Sequence, residues 1–241
     1  MLKRKRYPVN ENSPLEIDSL QLTFLYWDVT LKMNFILQRG MTAVKGSSRE
    51  ISDPTQAYYV GLMHACGYRN EDLKKPSIGI VNSYTDVNPG HKVFRAMARA
   101  VAEGVWAGGG HPCEFNVPAP CDGMAQGSGM HYILPSRDLI AGAIEAMVGA
   151  HQFDGLVFLC SCDKIVPGML MAAARLNIPS ILVSGGPMLA GHFGGEEVSL
   201  SKTFEAVGAY KVGMMDEATF YEAECNSCPG CGSCAGMYTA N

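Results

Sequence analysis

The stretch Gly155-Leu156-Val157-Phe158-Leu159-Cys160-Ser161, followed at once by Cys162-Asp163-Lys164, decides how this sequence folds. The apolar run is short enough for a strand that is buried inside a sheet. The next residues, Ile165-Val166-Pro167-Gly168-Met169-Leu170-Met171, predict a turn that opens into a helix. A thiol, a carboxylate and an amine therefore follow a strand end, where open α/β sheets bind ligands. A soft metal ligand beside a hard one indicates two kinds of metal in one site.

Strands and helices alternate on both sides of this stretch. Apolar runs predict strands at 77–82, 114–117 and 180–184 besides 155–161. Helical patterns cover 54–65, 91–106, the segment after Pro135, 169–176 and 201–224. This alternation is typical of the α/β class, with a layered parallel sheet flanked by helices.

Domain organisation follows from where these patterns begin. Residues 1–48 fit neither period well, so they are interpreted as an amino-terminal extension. The extension is a docking arm, a disordered segment, or sequence upstream of a natural start at Met41. Residues 49–241 are predicted to form one α/β domain.

Composition narrows the class of protein. The chain has 241 residues, of which 47% are hydrophobic and 17% charged, so a sizeable buried core is expected. The formal charge of −4 gives no electrostatic reason to expect nucleic acid or an acidic membrane as a partner. No apolar stretch approaches the ~18 residues of a spanning helix. The basic start lacks the apolar core of a secretory signal, so a cytoplasmic location is expected.

The nine cysteines point to metal chemistry rather than to disulfides, because their number is odd and no secretory signal is recognised. Cys225, Cys228, Cys231 and Cys234 are spaced by two residues and could hold zinc or an iron–sulfur cluster. The alternative is that one or two of them bind metal and the others are small core residues. We favour this alternative for Cys225 and Cys228.

Two carboxylates and an amine stand in the predicted strand-end loops. Asp122 and Asp163 could together hold a hard cation such as Mg²⁺. Each could equally cap a helix or turn, which is the commoner role for a single aspartate. Lys164 is open to two interpretations. It forms a simple ion pair, or its nitrogen takes part in chemistry, with or without modification. His91 stands at a strand-to-helix turn and could face a ligand.

Several motifs together resemble one family, the dihydroxy-acid and 6-phosphogluconate dehydratases. The resemblance covers roughly residues 49–241 and is closest to the dihydroxy-acid branch. The motifs agree with the family in order and spacing; they are Asn82-Ser83-Tyr84-Thr85, Pro89-Gly90-His91, Cys121-Asp122-Gly123-Met124 with Gln126-Gly127, Leu134-Pro135-Ser136-Arg137, Cys162-Asp163-Lys164-Ile165-Val166-Pro167-Gly168, Ser184-Gly185-Gly186-Pro187-Met188 and the run from Cys231 to Asn241.

The resemblance implies a role for each matching residue. It implies that Cys162 and Cys234 ligate an iron–sulfur cluster, either [4Fe-4S] or [2Fe-2S]. Some members carry the third cluster cysteine where this chain has Gly90, whereas sugar-acid members have it at Cys121. Cys121 is therefore our choice, with Cys231 as the weaker candidate.

The magnesium ligands are implied in the same way. Asp122 and Asp163 match Mg²⁺ ligands of the family. Lys164 matches a lysine that is carbamylated in the family, and its modified side chain would be a further Mg²⁺ ligand. This would explain why an amine stands beside a cation site.

The implied reaction removes water from a 2,3-dihydroxy acid. An iron acts as Lewis acid on the C3 hydroxyl, Mg²⁺ holds the carboxylate and C2 hydroxyl, and a base removes the C2 proton. The enol then becomes a 2-keto acid. Family members are longer, usually dimeric, and carry the expected serine base and a glutamate Mg²⁺ ligand in a barrel-like domain. Those residues would lie beyond Asn241, so the chain is expected to be an incomplete fragment that is inactive alone.

Two other functions stay open from the sequence. The first is a sugar-acid dehydratase acting on phosphogluconate or an aldonate, which Cys121-Asp122-Gly123 and Gln126-Gly127 favour. The second belongs to another class, a non-catalytic module that holds zinc with the terminal cysteines. Zinc without sulfide would identify such a module, whereas iron with sulfide would identify a dehydratase.

Overall fold

A four-stranded parallel sheet forms the centre of the computed structural model, which describes residues 50–233. The strands lie in the order β2-β1-β3-β4. Their bounds are Ser77–Asn82 for β1, His111–Asn116 for β2, Gly155–Leu159 for β3 and Ser180–Val183 for β4. All three strand pairings are parallel, so every strand presents its carboxyl end at the same edge of the sheet. This confirms the predicted α/β class.

The helices connect and cover these strands. Short 3₁₀ turns occur at Pro54–Gln56 and Gly127–Tyr132. The α-helices are α1 (Ala57–Ala65), α2 (Asn70–Leu73), α3 (Phe94–Ala107), α4 (Ser136–His151), α5 (Ile165–Leu176), α6 (Leu200–Lys211) and α7 (Glu217–Asn226). No helix among residues 50–233 is long and apolar enough to cross a membrane.

The core consists of two apolar layers, one on each face of the sheet. On one face, α3 packs with Phe94, Met97, Val101 and Val105, a spacing that places all four on one side of the helix. On the other face, α4 and α5 pack against each other and against the sheet. Strands β1 and β3 are buried along their whole length, which explains why their sequences are apolar without alternation.

The connections between the strands create a crevice between β1 and β3. The chain leaves β1 through α3, which covers one face, and reaches β2 on one side of β1. It leaves β3 through α5, which covers the other face, and reaches β4 on the opposite side. Such a reversal opens a gap at the carboxyl ends of the two central strands, where α/β proteins bind ligands. The loop Cys162-Asp163-Lys164 lies at this gap.

Two helices differ from the sequence prediction. Helix α5 begins at Ile165 rather than near Met169, because Pro167 falls in the first turn, where its missing N–H needs no partner. The predicted helix 201–224 is two helices, α6 and α7, separated near Gly213, whose φ is 75°. Helix α7 then restarts at Asp216, whose carboxylate accepts a hydrogen bond from the Thr219 amide (2.8 Å).

A small hairpin was not predicted from the sequence. Its strands are β5 (Gly191–Phe193) and β6 (Glu196–Val198), which pair antiparallel. The two-residue turn consists of Gly194 and Gly195, with φ of 62° and 84°. Such a turn requires left-handed backbone at both positions, which glycine adopts without a steric penalty. Strands of three residues are too short to give a periodic pattern.

Candidate functional site

The turn after β3 places Cys162 at the crevice. Its φ is 70°, a left-handed backbone that is uncommon for a residue with a side chain. Its carbonyl accepts a hydrogen bond from the Val166 amide (3.2 Å), so the turn leads directly into α5. Cys160, two residues earlier, is fully buried in the core, and burial raises the pKa of its thiol to about 12. Cys162 is the more accessible of these two neighbouring thiols.

Two carboxylates from different loops converge on Lys164. The Lys164 Nζ lies 3.6 Å from Asp122 Oδ2, and it makes a closer hydrogen bond with Asp163 Oδ2. Asp122 belongs to the loop after β2, whereas Asp163 and Lys164 belong to the loop after β3. All three side chains are partly buried, with 20–30% of their surface exposed. The structure therefore brings together the three predicted magnesium residues.

The charge of Lys164 depends on these neighbours. Partial burial by itself lowers the pKa of Lys164, because it disfavours the charged amine. Hydrogen bonds and charges from Asp163 and Asp122 act in the opposite direction, and the pKa of Lys164 is raised overall. In this arrangement Lys164 is a cation in contact with the carboxylates of both Asp122 and Asp163.

Cys121 lies in the same group of loops as these charges. Its carbonyl accepts a hydrogen bond from the Ala125 amide (3.0 Å), which folds the glycine-rich segment into a tight turn. Burial raises the pKa of its thiol, and the nearby carboxylates of Asp122 and Asp163 raise it further. A thiol in this environment stays protonated until a cation or another partner stabilises the thiolate.

Asn88 joins three of the loops, a role that the sequence did not reveal. It is fully buried, and its Nδ2 donates to the Ala119 carbonyl (3.4 Å) in the loop after β2. Its Oδ1 accepts from the Gly90 amide (3.1 Å) and lies 3.5 Å from Cys162 Sγ. Asn88 thus fixes the position of Cys162 relative to the loop after β1. Its place before Pro89-Gly90 predicts only a turn.

His91 supports the same loops from inside the protein. Its Nδ1 lies 2.9 Å from the Ser83 carbonyl, and its Nε2 lies 2.8 Å from the Ser161 carbonyl, next to Cys162. Burial lowers the pKa of His91, although both contacts act in the opposite direction. His91 is completely buried, so the hypothesis that it faces a ligand was wrong. It holds the strand-end loops together instead.

Cys162 and Ser233 pack closely against Gly90, which has no side chain. A Cβ at this position would lie 3.2 Å from Cys162 Sγ and 3.0 Å from Ser233 Oγ. Ser233 is held by its amide, which donates to the Gly186 carbonyl (3.0 Å), and by its carbonyl, which accepts from the Met188 amide (2.8 Å). Its hydroxyl is buried and makes no hydrogen bond with the described residues. The Ser233 hydroxyl and the Cys162 thiol therefore both lie close to Gly90.

The remaining cysteines of the carboxyl-terminal run do not form a metal site in the described part of the chain. Cys225 and Cys228 are exposed at and after the end of α7, and Cys231 is partly buried. Residues 50–233 contain no group of three or more His, Cys, Asp or Glu side chains arranged to hold a metal ion. Cys234, the second predicted cluster ligand, lies outside the described residues, as do residues 1–48.

The donor atoms that are present fit two kinds of metal. Asp122 and Asp163 supply hard oxygen ligands from two loops, and a carboxylated Lys164 would supply a third. Cys121 and Cys162 supply soft thiol ligands from the same two loops. The buried Ser233 hydroxyl would suit the inorganic sulfur of a cluster, which accepts hydrogen bonds.

Comparison with known proteins finds relatives for most of this chain. Residues 75–241 match the sequence profile described as dihydroxy-acid/6-phosphogluconate dehydratase N-terminal. A dihydroxy-acid dehydratase of Methanococcus vannielii is 57% identical over 181 residues, which are 75% of this chain and 33% of the relative. Dihydroxy-acid dehydratases of Caldicellulosiruptor bescii and Desulfitobacterium hafniense are 55% and 54% identical, over 75% and 77% of this chain. The chain spans about a third of the length of these curated relatives.

Proposed function

Because this chain belongs to the dihydroxy-acid/6-phosphogluconate dehydratase family, we propose that it forms the metal-binding third of an enzyme that dehydrates a 2,3-dihydroxy acid. The observation that carries the proposal is the convergence of Asp122, Asp163 and Lys164 at the crevice between β1 and β3. The proposed reaction is the conversion of 2,3-dihydroxyisovalerate to 2-ketoisovalerate in branched-chain amino-acid synthesis. The whole enzyme is proposed to be a cytoplasmic homodimer.

Asp122, Asp163 and a carbamylated Lys164 are the proposed Mg²⁺ ligands. Carbamylation joins the lysine nitrogen to the carbon of CO₂, and starting from the ammonium form it releases two protons. It converts the cation that contacts both carboxylates into a third carboxylate-like ligand. Three oxygen ligands of this kind suit Mg²⁺, which also keeps positions for water and substrate oxygen atoms. The pair of contacts made by the Lys164 Nζ supports this assignment, because it places the amine within reach of both aspartates.

Cys121, Cys162 and Cys234 are the proposed ligands of an iron–sulfur cluster, with Cys231 as the alternative to Cys121. Support comes from Cys121 and Cys162, which are partly buried on loops that also carry the magnesium ligands. The Asn88 side chain, which lies 3.5 Å from Cys162 Sγ, would keep this thiol in position. The Ser233 hydroxyl would donate a hydrogen bond to sulfur.

The two proposed groups divide the reaction between them. When bound, the cluster supplies a Lewis-acidic iron to the leaving C3 hydroxyl, and Mg²⁺ binds the substrate carboxylate and C2 hydroxyl. The chain's own residues would then orient the substrate, because the loops after β2 and β3 would hold both metals at one crevice. His91 and Asn88 keep these loops from moving apart. We assign no proton-abstracting base among residues 50–233.

The choice of substrate rests on the relatives. The three relatives above are named dihydroxy-acid dehydratases, and their identity to this chain is 54–57%. The family profile also includes 6-phosphogluconate dehydratases, so a sugar acid is the second candidate. Both substrates carry the carboxylate and the C2 hydroxyl that the proposed Mg²⁺ would bind, so the proposed metal ligands suit either of them.

A chimeric enzyme tests the proposed function. Residues 75–241 of this chain would replace the matching third of the Methanococcus vannielii dihydroxy-acid dehydratase. After anaerobic reconstitution with iron, sulfide and Mg²⁺, the chimera is expected to release a 2-keto acid from 2,3-dihydroxyisovalerate. Asp163→Asn in the chimera should reduce kcat by at least about a hundredfold. Asp138→Asn should not, because Asp138 is an exposed residue of α4.

The same assay decides between the candidates. Faster turnover of 6-phosphogluconate than of 2,3-dihydroxyisovalerate would favour the sugar-acid function. An Asp163→Asn chimera as active as the unmodified chimera would contradict the proposed role of the carboxylates. A folded chimera that binds zinc without sulfide and acts on neither substrate would favour the metal-binding module instead.

A further inference from the structure

A cavity of about 280 Å³ lies between the loop after β1 and the first half of α3. We call it the α3 cavity. Tyr84 and Asp86 of the loop after β1 form one wall. The other wall consists of α3 and the turn before it, and it carries Lys92, Arg95 and Arg99. These three basic residues are exposed, so a ligand can reach them from solvent.

The fold directs the basic residues of α3 away from the sheet. Arg95 and Arg99 are four residues apart, so they lie one above the other on the same side of the helix. Met97 and Val101 lie on the opposite side and pack in the core. The position of Arg95 is further defined by Tyr84, because its Cζ lies 4.4 Å from the centroid of the tyrosine ring. Two guanidinium groups therefore border the α3 cavity from one side.

The positive charge at the α3 cavity is not balanced by carboxylates of the described residues. Lys92, Arg95 and Arg99 make no ion pair within residues 50–233. Asp86 is the one carboxylate of the described cavity wall, and it accepts a hydrogen bond from the Tyr84 hydroxyl (3.0 Å). Three cations thus share a cavity with one carboxylate, in a chain whose formal charge is −4.

This arrangement of charges does not stabilise α3. Like charges four residues apart, such as Arg95 and Arg99, repel each other along a helix. The first turn of α3 has no acidic residue, and the helix dipole disfavours cations at that end. An anion held between the two walls would relieve both repulsions.

The walls of the α3 cavity favour a small phosphate ester over other anions. Two guanidinium groups and an ammonium suit an anion with two charges and several acceptor oxygen atoms. Val93, Ala96 and the Tyr84 ring offer apolar surface to an organic group. A nucleic-acid backbone needs an extended positive surface, whereas this cavity is small and includes the carboxylate of Asp86.

We propose that the α3 cavity binds the doubly charged phosphate group of a small phosphorylated molecule. Arg95 and Arg99 would donate hydrogen bonds to the phosphate oxygen atoms, and Lys92 would add a third positive charge. The organic part of the molecule would lie against Val93 and Ala96. None of these residues belongs to the proposed metal centre, so the proposal does not depend on the dehydratase chemistry.

Phenyl phosphate and phenyl sulfate form a matched pair of probes for the α3 cavity. The two molecules have nearly the same shape, but at pH 8 the phosphate ester carries two negative charges and the sulfate ester carries one. Each would be titrated into the 241-residue chain at constant ionic strength, and protein NMR would identify the perturbed residues. Phenyl phosphate is expected to bind at least about threefold more tightly than phenyl sulfate, because it has one more charge to pair with the cations.

Four variants locate the binding. Arg99→Gln should weaken the binding of phenyl phosphate at least about threefold. Arg175→Gln should not, because Arg175 lies on α5 and outside the cavity. Asp86→Asn should strengthen it, because the change removes a repelling charge but keeps an acceptor for the neighbouring hydroxyl. Ala96→Trp should fill the cavity and weaken both probes without changing any charge.

Several results would overturn the proposal. Equal affinity for the two probes, or perturbation confined to residues outside 84–99, would show that the α3 cavity does not recognise a phosphate group. Binding of phenyl phosphate that is as tight in Arg99→Gln as in Arg175→Gln would show that Arg99 plays no part. Unchanged binding in Ala96→Trp would place the anion on the open surface of α3 instead. A single-stranded oligonucleotide that binds more tightly than phenyl phosphate, at the same residues, would identify a nucleic-acid surface.

Discussion

Lys164 and Asp122 come from different loops, yet the Lys164 Nζ lies 3.6 Å from Asp122 Oδ2. This ion pair joins the loop after β3 to the loop after β2, directly at the crevice between the central strands. Because Asp163 also contacts the amine, two carboxylates share one cation. A partly buried group of three charged side chains in a crevice is an arrangement that is common at functional sites.

Replacement of Lys164 tests whether the amine is modified. In the presence of ¹³C-bicarbonate and Mg²⁺, the unmodified chain should give a ¹³C NMR signal from a lysine carbamate. Lys164→Met should lose this signal and should bind Mn²⁺ at least about tenfold more weakly, because a ligand is removed. Lys202→Met is the matched control, since Lys202 pairs with Glu205 on the surface of α6. A signal that survives in Lys164→Met would place the carbamate elsewhere.

Alanine is expected to have opposite effects on stability at Gly90 and at Gly61, because only Gly90 is closely packed. Gly90→Ala should destabilise the chain by about 1–3 kcal/mol, because the new Cβ would lie 3.1 Å from the Ser233 backbone. Gly61→Ala should stabilise it by about 0.5–1 kcal/mol, because Gly61 lies inside α1 with nothing within 4 Å of the added carbon. Urea unfolding of the two variants measures both effects. Equal stability of the variants would mean that the loops around Gly90 are not packed as described.

His91 is expected to stabilise the strand-end loops. His91→Ala should lower the free energy of unfolding by about 2–4 kcal/mol, because the buried groups of Ser83 and Ser161 that contact its two ring nitrogens would lose a partner. His91→Gln should recover part of this loss, since its amide can still donate to one carbonyl. Denaturant unfolding at pH 7 measures the difference. A fully stable His91→Ala variant would contradict the proposed positioning role.

The two buried histidines predict loss of stability in mild acid. Burial lowers the pKa of both His91 and His111 in the folded chain, so between the folded and unfolded pKa values the unfolded chain binds more protons. The stabilisation is therefore present above the unfolded pKa of about 6.5 and is lost as the pH falls below it. From pH 7 to 5.5, the free energy of unfolding should fall, with a limiting slope of ~1.4 kcal/mol per pH unit for each histidine. His111→Gln should reduce the slope, and a flat profile would show that neither ring is buried in its neutral form.

The sheet could be predicted from sequence because its central strands are short and, apart from Ser77 and Asn82 at the two ends of β1, apolar. β1 and β3 were both recognised by this pattern, and the turn residues after them were recognised as loops. Helix starts were harder to predict. The sequence predicts that α5 starts near Met169, but it starts at Ile165. Pro167 is accommodated in the first turn, where the backbone N–H needs no partner within the helix.

The site was only partly accessible to sequence reasoning. The types of Asp122, Asp163 and Lys164 predict their chemistry, but only the fold shows that Asp122 meets Lys164, which lies 42 positions further along the sequence. Asn88 and Ser233 gave no signal, because a buried hydrogen bond depends on distant carbonyls that the local sequence does not encode. The sequence predicts a ligand-facing role for His91 for the same reason, because it does not show that the partners of His91 are the carbonyls of Ser83 and Ser161.

The most direct test of the proposed metal centre compares Cys162 with its buried neighbour Cys160. The chain would be reconstituted anaerobically with iron and sulfide, and bound iron, sulfide and zinc would be measured per chain. The unmodified chain and Cys160→Ala should hold iron and sulfide, because Cys160 faces the core. Cys162→Ala should lose both, since it lacks a ligand thiol. Iron and sulfide retained in full by Cys162→Ala, or zinc bound without sulfide in the unmodified chain, would contradict the proposed centre.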